Sequence, residues 1–107
     1  MKLLVYVAGP MSKGGLLENV RIAMREANRL VDAGYAVALP HLSVYWDIVH
    51  PRSYEAWMDL DLCTIEHCDA LVRLPGESPG ADREVAHARA HGVPVSLGVD
   101  EFLAGVA

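Results

Sequence analysis

The chain has 107 residues, of which 52% are hydrophobic and 21% are charged, a composition typical of one ordered globular domain with its own core. Its formal net charge is −5 with nine Lys and Arg residues, so a surface that binds a nucleic acid polymer is not expected. A single phosphate group is not excluded, because backbone amides and one or two cations are enough to bind it.

Short apolar runs alternate with segments of helical periodicity, which is the pattern of βαβ units around a parallel sheet. In chain order, the pattern predicts strand 3–8, helix 16–31 stopped by Gly34, strand 36–39, an irregular connection over 41–53, helix 54–67, strand 70–74, helix 79–91, strand 93–97 and a terminal helix 101–106. The fold class expected for residues 1–107, as a single domain, is α/β. We predict a Rossmann-like or flavodoxin-like parallel sheet of four to five strands with helices on both faces.

Cysteine usage and apolar run lengths indicate the compartment. Cys63 and Cys68 lie five residues apart in one predicted helix, which fits neither a disulfide nor a zinc motif, so reduced thiols and a cytoplasmic location are expected. The apolar run 3–8 is followed by Gly9-Pro10 without a cleavage region, so we interpret it as a strand rather than a signal peptide. No apolar run approaches the length of a membrane span, and no membrane contact is predicted.

The loops that follow the first three predicted strands indicate where a ligand would bind. They are residues 9–12, the pair Pro40-His41, and residues 75–78. Sheets of this class bind ligands at the carboxyl ends of their strands, and loops rich in Gly, Pro and Ser let a ligand approach the backbone. We therefore expect a cleft at this edge of the sheet.

Asp61 falls on the apolar face of its predicted helix, which it shares by three- and four-residue spacing with Tyr54, Trp57, Met58, Ile65 and Cys68. A carboxylate beside a core is costly unless it has a partner or remains ionised in a water-filled cleft. Asp61 is thus a candidate catalytic residue. The alternative is a structural acid paired with a buried Arg or a loop amide.

Glu84 is the second candidate, and we place it in the first turn of the helix that begins at Pro79. A helix dipole lowers the pKa of such an acid, so the side chain should be ionised at neutral pH, as a carboxylate nucleophile requires. The alternative is a role in helix stability alone. Ser78 fits the N-cap of this helix, which is also an anion site. We expect Asp61 and Glu84 to meet in one water-filled crevice.

Several other side chains have two interpretations each. Tyr6 is either a core residue or a pocket residue at the end of the first strand, and Tyr45 and Trp46 either stack on a base or form an oligomer contact. His87 and His91 have i,i+4 spacing near a helix C-terminus, where histidines usually interact with the dipole. No metal site is predicted.

Three segments of the chain carry a resemblance to a known family. Residues 5–12, Val-Tyr-Val-Ala-Gly-Pro-Met-Ser, resemble the first strand and loop of the nucleoside 2-deoxyribosyltransferase-like superfamily, above all its small uncharacterised members with an Ala-Gly-Pro-Met loop. Asp61-Leu62 with residues 68–72 resembles its acidic helix and next strand. Residues 78–84 resemble its nucleophile segment, in which a Gly four residues ahead of a Glu opens the helix.

This resemblance implies cleavage of the N-glycosidic bond of a nucleoside or its 5′-monophosphate, without a cofactor. Glu84 would attack the anomeric carbon, and Asp61 would hold the sugar or base and manage the leaving-group proton. Water or a second base would release the glycosyl-enzyme intermediate, in agreement with two acids of distinct roles. The candidate substrate-binding residues are Tyr6, Gly9, Pro10, Met11, Ser12, Trp46, Ser78 and Gly80.

Position 78 bears on the subclass. Nucleoside transferases tend to have Asp there, whereas Ser78 resembles the nucleotide 5′-monophosphate N-glycosidases, which favours monophosphate substrates. The acids Glu77 and Asp82 in the same turn argue the other way. The chain lacks the longer C-terminal segment that transferases lend to a neighbour's site, which argues against base transfer. A homo-oligomer is nevertheless expected from the aromatics at Tyr45 and Trp46.

Two further functions stay open. Residues 74–84 partly resemble the Pro-Gly-Gly-x-Gly-Thr-x-x-Glu motif of lysine-decarboxylase-like phosphoribohydrolases, but the second Gly and the Thr are missing. The chain could also be a nucleotide-binding or sensing module without turnover, because a fold alone does not define a function.

Overall fold

Four strands form one parallel sheet in the computed structural model, which describes residues 1–105. The strands are β1 (Leu4–Ala8), β2 (Ala36–Ala38), β3 (Ala70–Arg73) and β4 (Val95–Leu97), and their order is β2-β1-β3-β4. Val5 of β1 pairs with both Val37 and Ala70, and Leu71 pairs with Val95. This flavodoxin-like order confirms the predicted fold class.

Five α-helices connect or follow the strands: α1 (Leu16–Asp32), α2 (Ser43–Val49), α3 (Tyr54–Glu66), α4 (Pro79–Ala90) and α5 (Val99–Gly105). The predicted helices are confirmed, with ends that differ by one or two residues. The terminal helix begins at Val99 instead of residue 101, and Val106, its predicted last residue, lies outside the described residues. No helix within residues 1–105 has the length and apolar character needed to cross a membrane.

The predicted irregular connection over residues 41–53 was wrong. A 3-10 helix (Pro40–Leu42) continues into α2, which contains aromatic and β-branched residues of modest helix propensity and has no side-chain N-cap. Its stability comes from contacts with α3: Asp47 accepts a hydrogen bond from the Trp57 indole, and Trp46 packs edge-to-face on Trp57. Such tertiary contacts leave no periodic signal in the sequence.

The core has two halves because successive strand residues point to opposite faces of the sheet. Val5 and Val7 pack with Leu30 of α1 and Phe102 of α5 on one face. On the other face, a second cluster joins β1 and β3 to α3 and α4; its buried residues are Tyr6, Ala8, Ile65, Cys68, Leu71, Ala81, Ala88 and Val93. Helices therefore cover both faces, as predicted.

Local sequence signals set the starts of the two helices on the second face. Ser53 and Ser78 are the N-caps of α3 and α4, and their hydroxyl oxygens accept hydrogen bonds from the amides of Ala56 at 3.1 Å and Ala81 at 3.0 Å. An N-cap serine satisfies an amide that the helix itself leaves unpaired. The predicted cap at Ser78 is confirmed.

The loops after the strands are packed against one another. His41, buried after β2, donates from Nε2 to the Pro10 carbonyl oxygen at 3.0 Å. Gly76, after β3, has φ +114°, and a Cβ there would lie 2.8 Å from the Pro10 ring, so only glycine fits. The three strand ends thereby form one continuous edge of the sheet.

Candidate active site

A cavity of about 600 Å³ opens at this edge, where the sequence predicts a cleft. Its volume is in the range of small-molecule sites. Its walls come from the loop after β1, from α2, from one face of α3 and from the start of α4. The principal lining residues are Gly9, Met11, Ser12, Lys13, Val44, Asp47, Ile48, Tyr54, Trp57, Met58, Asp61, Ser78, Gly80 and Glu84.

Both candidate carboxylates line this cavity, although they are 23 residues apart along the chain. Glu84 is only 5% exposed, and its Oε2 accepts a hydrogen bond from the Tyr6 hydroxyl. Burial and the charge of Glu84 raise the pKa of Tyr6, so the phenol stays protonated and acts as the donor. The strand β1 and the helix α4 thus hold the Glu84 carboxyl group in a defined position.

The predicted ionisation of Glu84 was wrong in its cause and direction. The acid in the first turn of α4 is Asp82, and Glu84 lies two residues further, in the second turn, where the dipole effect has fallen off. Burial and the nearby charge of Asp61 raise the pKa of Glu84 to about 7, against the lowering effects of the Tyr6 hydrogen bond and of Arg73. Glu84 therefore titrates near neutrality instead of remaining ionised throughout.

Asp61 is half-buried on α3, and burial raises its pKa to about 6. Burial is the only cause of this shift: neither a hydrogen bond nor a charged partner within residues 1–105 contributes to it. The alternative of a structural acid neutralised by a buried Arg therefore has no support in the described residues. Asp61 presents a carboxyl group to the cavity beside Glu84.

Three of the predicted substrate-binding residues lie outside the walls of the main cavity. Tyr6, 1% exposed, and Trp46 line a smaller neighbouring cavity of about 350 Å³. Pro10 lines neither, because its ring packs under Gly76 and its carbonyl group is bonded to His41. The two cavities adjoin each other, because both are lined by Pro40, Ser43, Trp57 and Asp61.

The sequence did not identify several residues of the site. Tyr54, Trp57 and Met58 could have been recognised, because they share a helix face with Asp61. Asp47 could not, because it lies on α2, which was predicted as irregular. The sequence also did not predict that His41 positions the loop after β1 through its bond to Pro10. Within residues 1–105, His41 Nδ1 is the one buried side-chain nitrogen or oxygen without a hydrogen-bond partner.

The charges around the start of α4 are paired. Lys13, on the loop after β1, bonds Glu77 at 2.9 Å, and Arg73, at the end of β3, bonds Asp82 at 3.0 Å. The negative charges of Glu77 and Asp82, which disfavour a phosphate at this turn, are therefore each balanced by a cation. Lys13 itself lines the cavity and forms a largely exposed pair, which costs little to rearrange.

Residues 3–97 match the family DUF4406, described as a domain of unknown function. No curated protein matches the chain. A solved structure of a 2-deoxyribosyltransferase from the psychrotolerant bacterium Bacillus psychrosaccharolyticus is similar, with a TM-score of 0.63 and 23% identity over 88% of this chain and 70% of that chain. The CMP N-glycosidase BcmB of Clostridium botulinum is similar with a TM-score of 0.57 and 20% identity over 88% of this chain and 69% of that one. At such identities the similarity is one of fold.

Proposed function

We propose that this chain, which belongs to the DUF4406 family, cleaves the N-glycosidic bond of a nucleoside 5′-monophosphate through a glycosyl intermediate on Glu84. The observation that carries the proposal is the meeting of two carboxyl groups, Asp61 and Glu84, in one cavity of nucleotide size, with the Tyr6 hydroxyl bonded to Glu84. The fold supports it, because one similar structure is a deoxyribosyltransferase and the other a CMP N-glycosidase.

In the first step, a Glu84 carboxylate oxygen attacks the anomeric carbon of the sugar. The bond between that carbon and the base nitrogen breaks, its electron pair leaves with the base, and the Asp61 carboxyl group supplies the proton. The product is a glycosyl ester of Glu84 and a neutral free base. The Tyr6 hydroxyl, which already donates to Glu84 Oε2, keeps the nucleophile oriented during the attack.

In the second step, water attacks the same carbon and gives its proton to Asp61, now a carboxylate. The ester bond to Glu84 breaks, and the electron pair returns to the carboxylate, which the Tyr6 hydroxyl stabilises. A second base in place of water would give transfer instead of hydrolysis. We propose hydrolysis as the main reaction, because water needs no second binding site.

The reactive form of the enzyme carries one proton on the pair, located on Asp61, with Glu84 ionised. Because Glu84 has the higher pKa of the two, this is the minor form in the free enzyme, and the proton must pass from Glu84 to Asp61 before the attack. Because the charge of Asp61 contributes to the raised pKa of Glu84, the two groups titrate as a coupled pair between about pH 6 and 7. Activity should follow a bell-shaped pH profile with its maximum in this range.

The monophosphate preference rests on the start of α4. The Ser78 oxygen accepts from the Ala81 amide, so the hydroxyl proton stays available for a phosphate oxygen at the helix N-terminus. Lys13 lines the same cavity, and its bond to Glu77 places its ammonium group beside this turn, while Asp82 is balanced by Arg73. For the base, Tyr54, Trp57 and Met58 provide a flat, apolar wall near Asp61.

The test is incubation with a panel of nucleosides and their 5′-monophosphates, followed by chromatography of the free bases. We expect release from at least one monophosphate and much slower release from its nucleoside. A labelled free base added to the mixture would reveal exchange. Ligand-dependent stabilisation without any free base would instead identify a nucleotide-binding module and contradict the proposal.

The covalent intermediate has its own test. A 2′-fluoro-arabino analogue of the best substrate should slow the second step, because fluorine destabilises the positive charge that develops on the sugar. Intact mass should then rise by one sugar phosphate, and peptide mapping should place the adduct on Glu84. An adduct on another residue, or turnover of normal substrate without any adduct, would refute the role of Glu84.

We also propose that the protein is a cytoplasmic homo-oligomer. On α2, beside the cavity, the side chains of Tyr45, Ile48 and Val49 are more than half exposed, an apolar surface that a second copy could cover. Both cysteines are free thiols, in keeping with a reducing compartment. Sedimentation velocity should show a species larger than 11.6 kDa, and Tyr45→Glu should shift it toward the monomer.

A further inference from the structure

The far ends of α3 and α4 carry a second group of titratable side chains, separate from the residues that line the cavities. Glu66, the last residue of α3, lies beside His87 in the last turn of α4 and His91 at its C-cap. Their side chains are 40%, 22% and 44% exposed, respectively. They are therefore open to ions from solvent while being fixed to two packed helices.

The distances within this group suit one metal ion. Glu66 Oε2 lies 2.8 Å from His87 Nε2 and 3.9 Å from His91 Nε2, and one ligand atom from each residue lies within 4.8 Å of the others. Tetrahedral zinc, with bonds of about 2.0–2.1 Å, needs ligand atoms separated by about 3.3–3.4 Å. The observed separations bracket that value, so small side-chain rotations would complete the geometry.

A hydrogen bond already orients one of the two imidazoles for such a role. His91 Nδ1 lies 2.9 Å from the His87 carbonyl oxygen, which can only accept, so Nδ1 carries the proton and Nε2 presents a lone pair. This is the arrangement in which a metal-binding histidine is usually held by its second nitrogen. Both Nε2 atoms lie within 3.9 Å of the same Glu66 oxygen, so the two rings present these atoms to a common point.

We propose that Glu66, His87 and His91 bind a zinc-type divalent transition-metal ion, with a fourth position open to water. Two imidazoles and one carboxylate favour zinc, nickel or copper over magnesium and calcium, which prefer oxygen ligands. Binding through His87 Nε2 would replace the hydrogen bond that this atom now makes to Glu66, with the neutral ring carrying its hydrogen on Nδ1 instead. The ion would tie the C-terminal ends of α3 and α4 together, and the inference is independent of the proposed activity.

The sequence alone shows only the histidine pair within one helix, so no metal site is predicted from it. The third ligand, Glu66, is 21 residues from His87 and reaches it only through the packing of α3 on α4. Arg83 and Glu55, which bond at 2.8 Å, join the same two helices near the opposite end. The metal would thus clamp the end of the helix pair that this ion pair leaves free.

The experiment measures thermal unfolding of EDTA-treated, dialysed protein with and without zinc chloride. Zinc at about 100-fold over its Kd should raise Tm by roughly 10 °C, and EDTA should reverse the shift. The variants His91→Ala and Glu66→Gln change exposed side chains, so both should fold, as circular dichroism would verify. Each should weaken zinc binding at least about 10-fold, since losses even of supporting residues have that effect.

Matched controls address the other possible ligands. His67→Ala removes an exposed histidine next to Glu66, and Cys63→Ser removes an exposed thiol on the same helix, so both should keep the zinc effect. Cobalt should give visible absorption of a tetrahedral site without a thiolate charge-transfer band. No zinc-dependent rise in the wild type, an equal rise in His91→Ala, or a thiolate band would each overturn the proposal.

Discussion

Helices α3 and α4 each contribute to two groups of titratable residues, and a carboxyl group behaves oppositely in them. In the cavity, burial raises the pKa of Asp61 to about 6 and that of Glu84 to about 7. At the surface, a hydrogen bond from His87 lowers the pKa of Glu66. The comparison shows that the environment at each end of the helix pair, rather than residue type, determines whether an acid holds a proton.

The difference has a chemical consequence. Protons held near neutrality can be exchanged with a substrate, which is why perturbed carboxyl groups in a cavity indicate catalysis. A carboxylate whose pKa is lowered, beside two imidazoles, instead attracts cations. Under the two proposals, one helix pair would have a site for proton transfer at one end and a site for metal binding at the other.

The largest effect is expected at Glu84. Glu84→Gln keeps the shape of the side chain and can still accept from Tyr6, but removes the nucleophile, so turnover should fall by about 10³-fold or more. The rate at which free base is released from the most reactive nucleoside monophosphate measures this turnover. Glu18→Gln, at an exposed position of α1, is the control. Wild-type turnover in the Glu84 variant would exclude the nucleophile role.

Asp61→Asn should reduce turnover less, by about 10²-fold, as is common for proton-transfer groups. Substrates whose base leaves easily without protonation should lose less, because they depend less on the acid. Asp59→Asn, exposed and two residues away on α3, serves as the matched control. Normal turnover combined with clearly lower stability would mean that Asp61 supports the structure only.

The buried acid should also make stability depend on pH. Between its ordinary pKa of 4.5 and about 7, the folded state binds more protons at Glu84 than the unfolded state does. This contribution is therefore fully present below pH 4.5 and is lost as pH rises through 7. Relative to Glu84→Gln, the wild type should lose about 3 kcal/mol of unfolding free energy over this range.

Urea denaturation of both proteins from pH 4 to 8 would measure this difference. Subtracting the two curves removes the contributions of the exposed acids, which are common to both. A difference that does not change with pH would show that Glu84 has an ordinary pKa in the folded protein, and the comparison between the two ends of the helices would then fail.

The smallest effect is expected at the surface group without metal. Glu66→Gln loses a partly exposed pair with His87, and such pairs contribute about 0–1 kcal/mol. Its unfolding free energy in EDTA should therefore stay close to that of the wild type. A large loss in EDTA would indicate that the ion pair itself, rather than a bound ion, is the reason for this cluster.

Hydrophobic periodicity and the residues that start or stop helices and strands were enough to predict most of the secondary structure and the fold class. Continuous apolar runs predicted the buried strands, three- and four-residue spacing predicted α1, α3 and α4, and Ser78-Pro79 marked a helix start. The loops after the strands placed the cavity, and the apolar face around Asp61 placed that residue in its wall. These features depend on residues that are close together along the chain, so they can be predicted from the sequence.

Other features were decided only by tertiary structure. Helix α2 forms through Trp46, Asp47 and their contacts with Trp57, and the pKa of Glu84 is raised because the fold buries its carboxyl group. The Tyr6–Glu84 hydrogen bond and the approach of Glu66 to His87 join residues 78 and 21 positions apart. Local sequence sets what each segment tends to form, whereas desolvation and long-range contact depend on which segments the fold brings together.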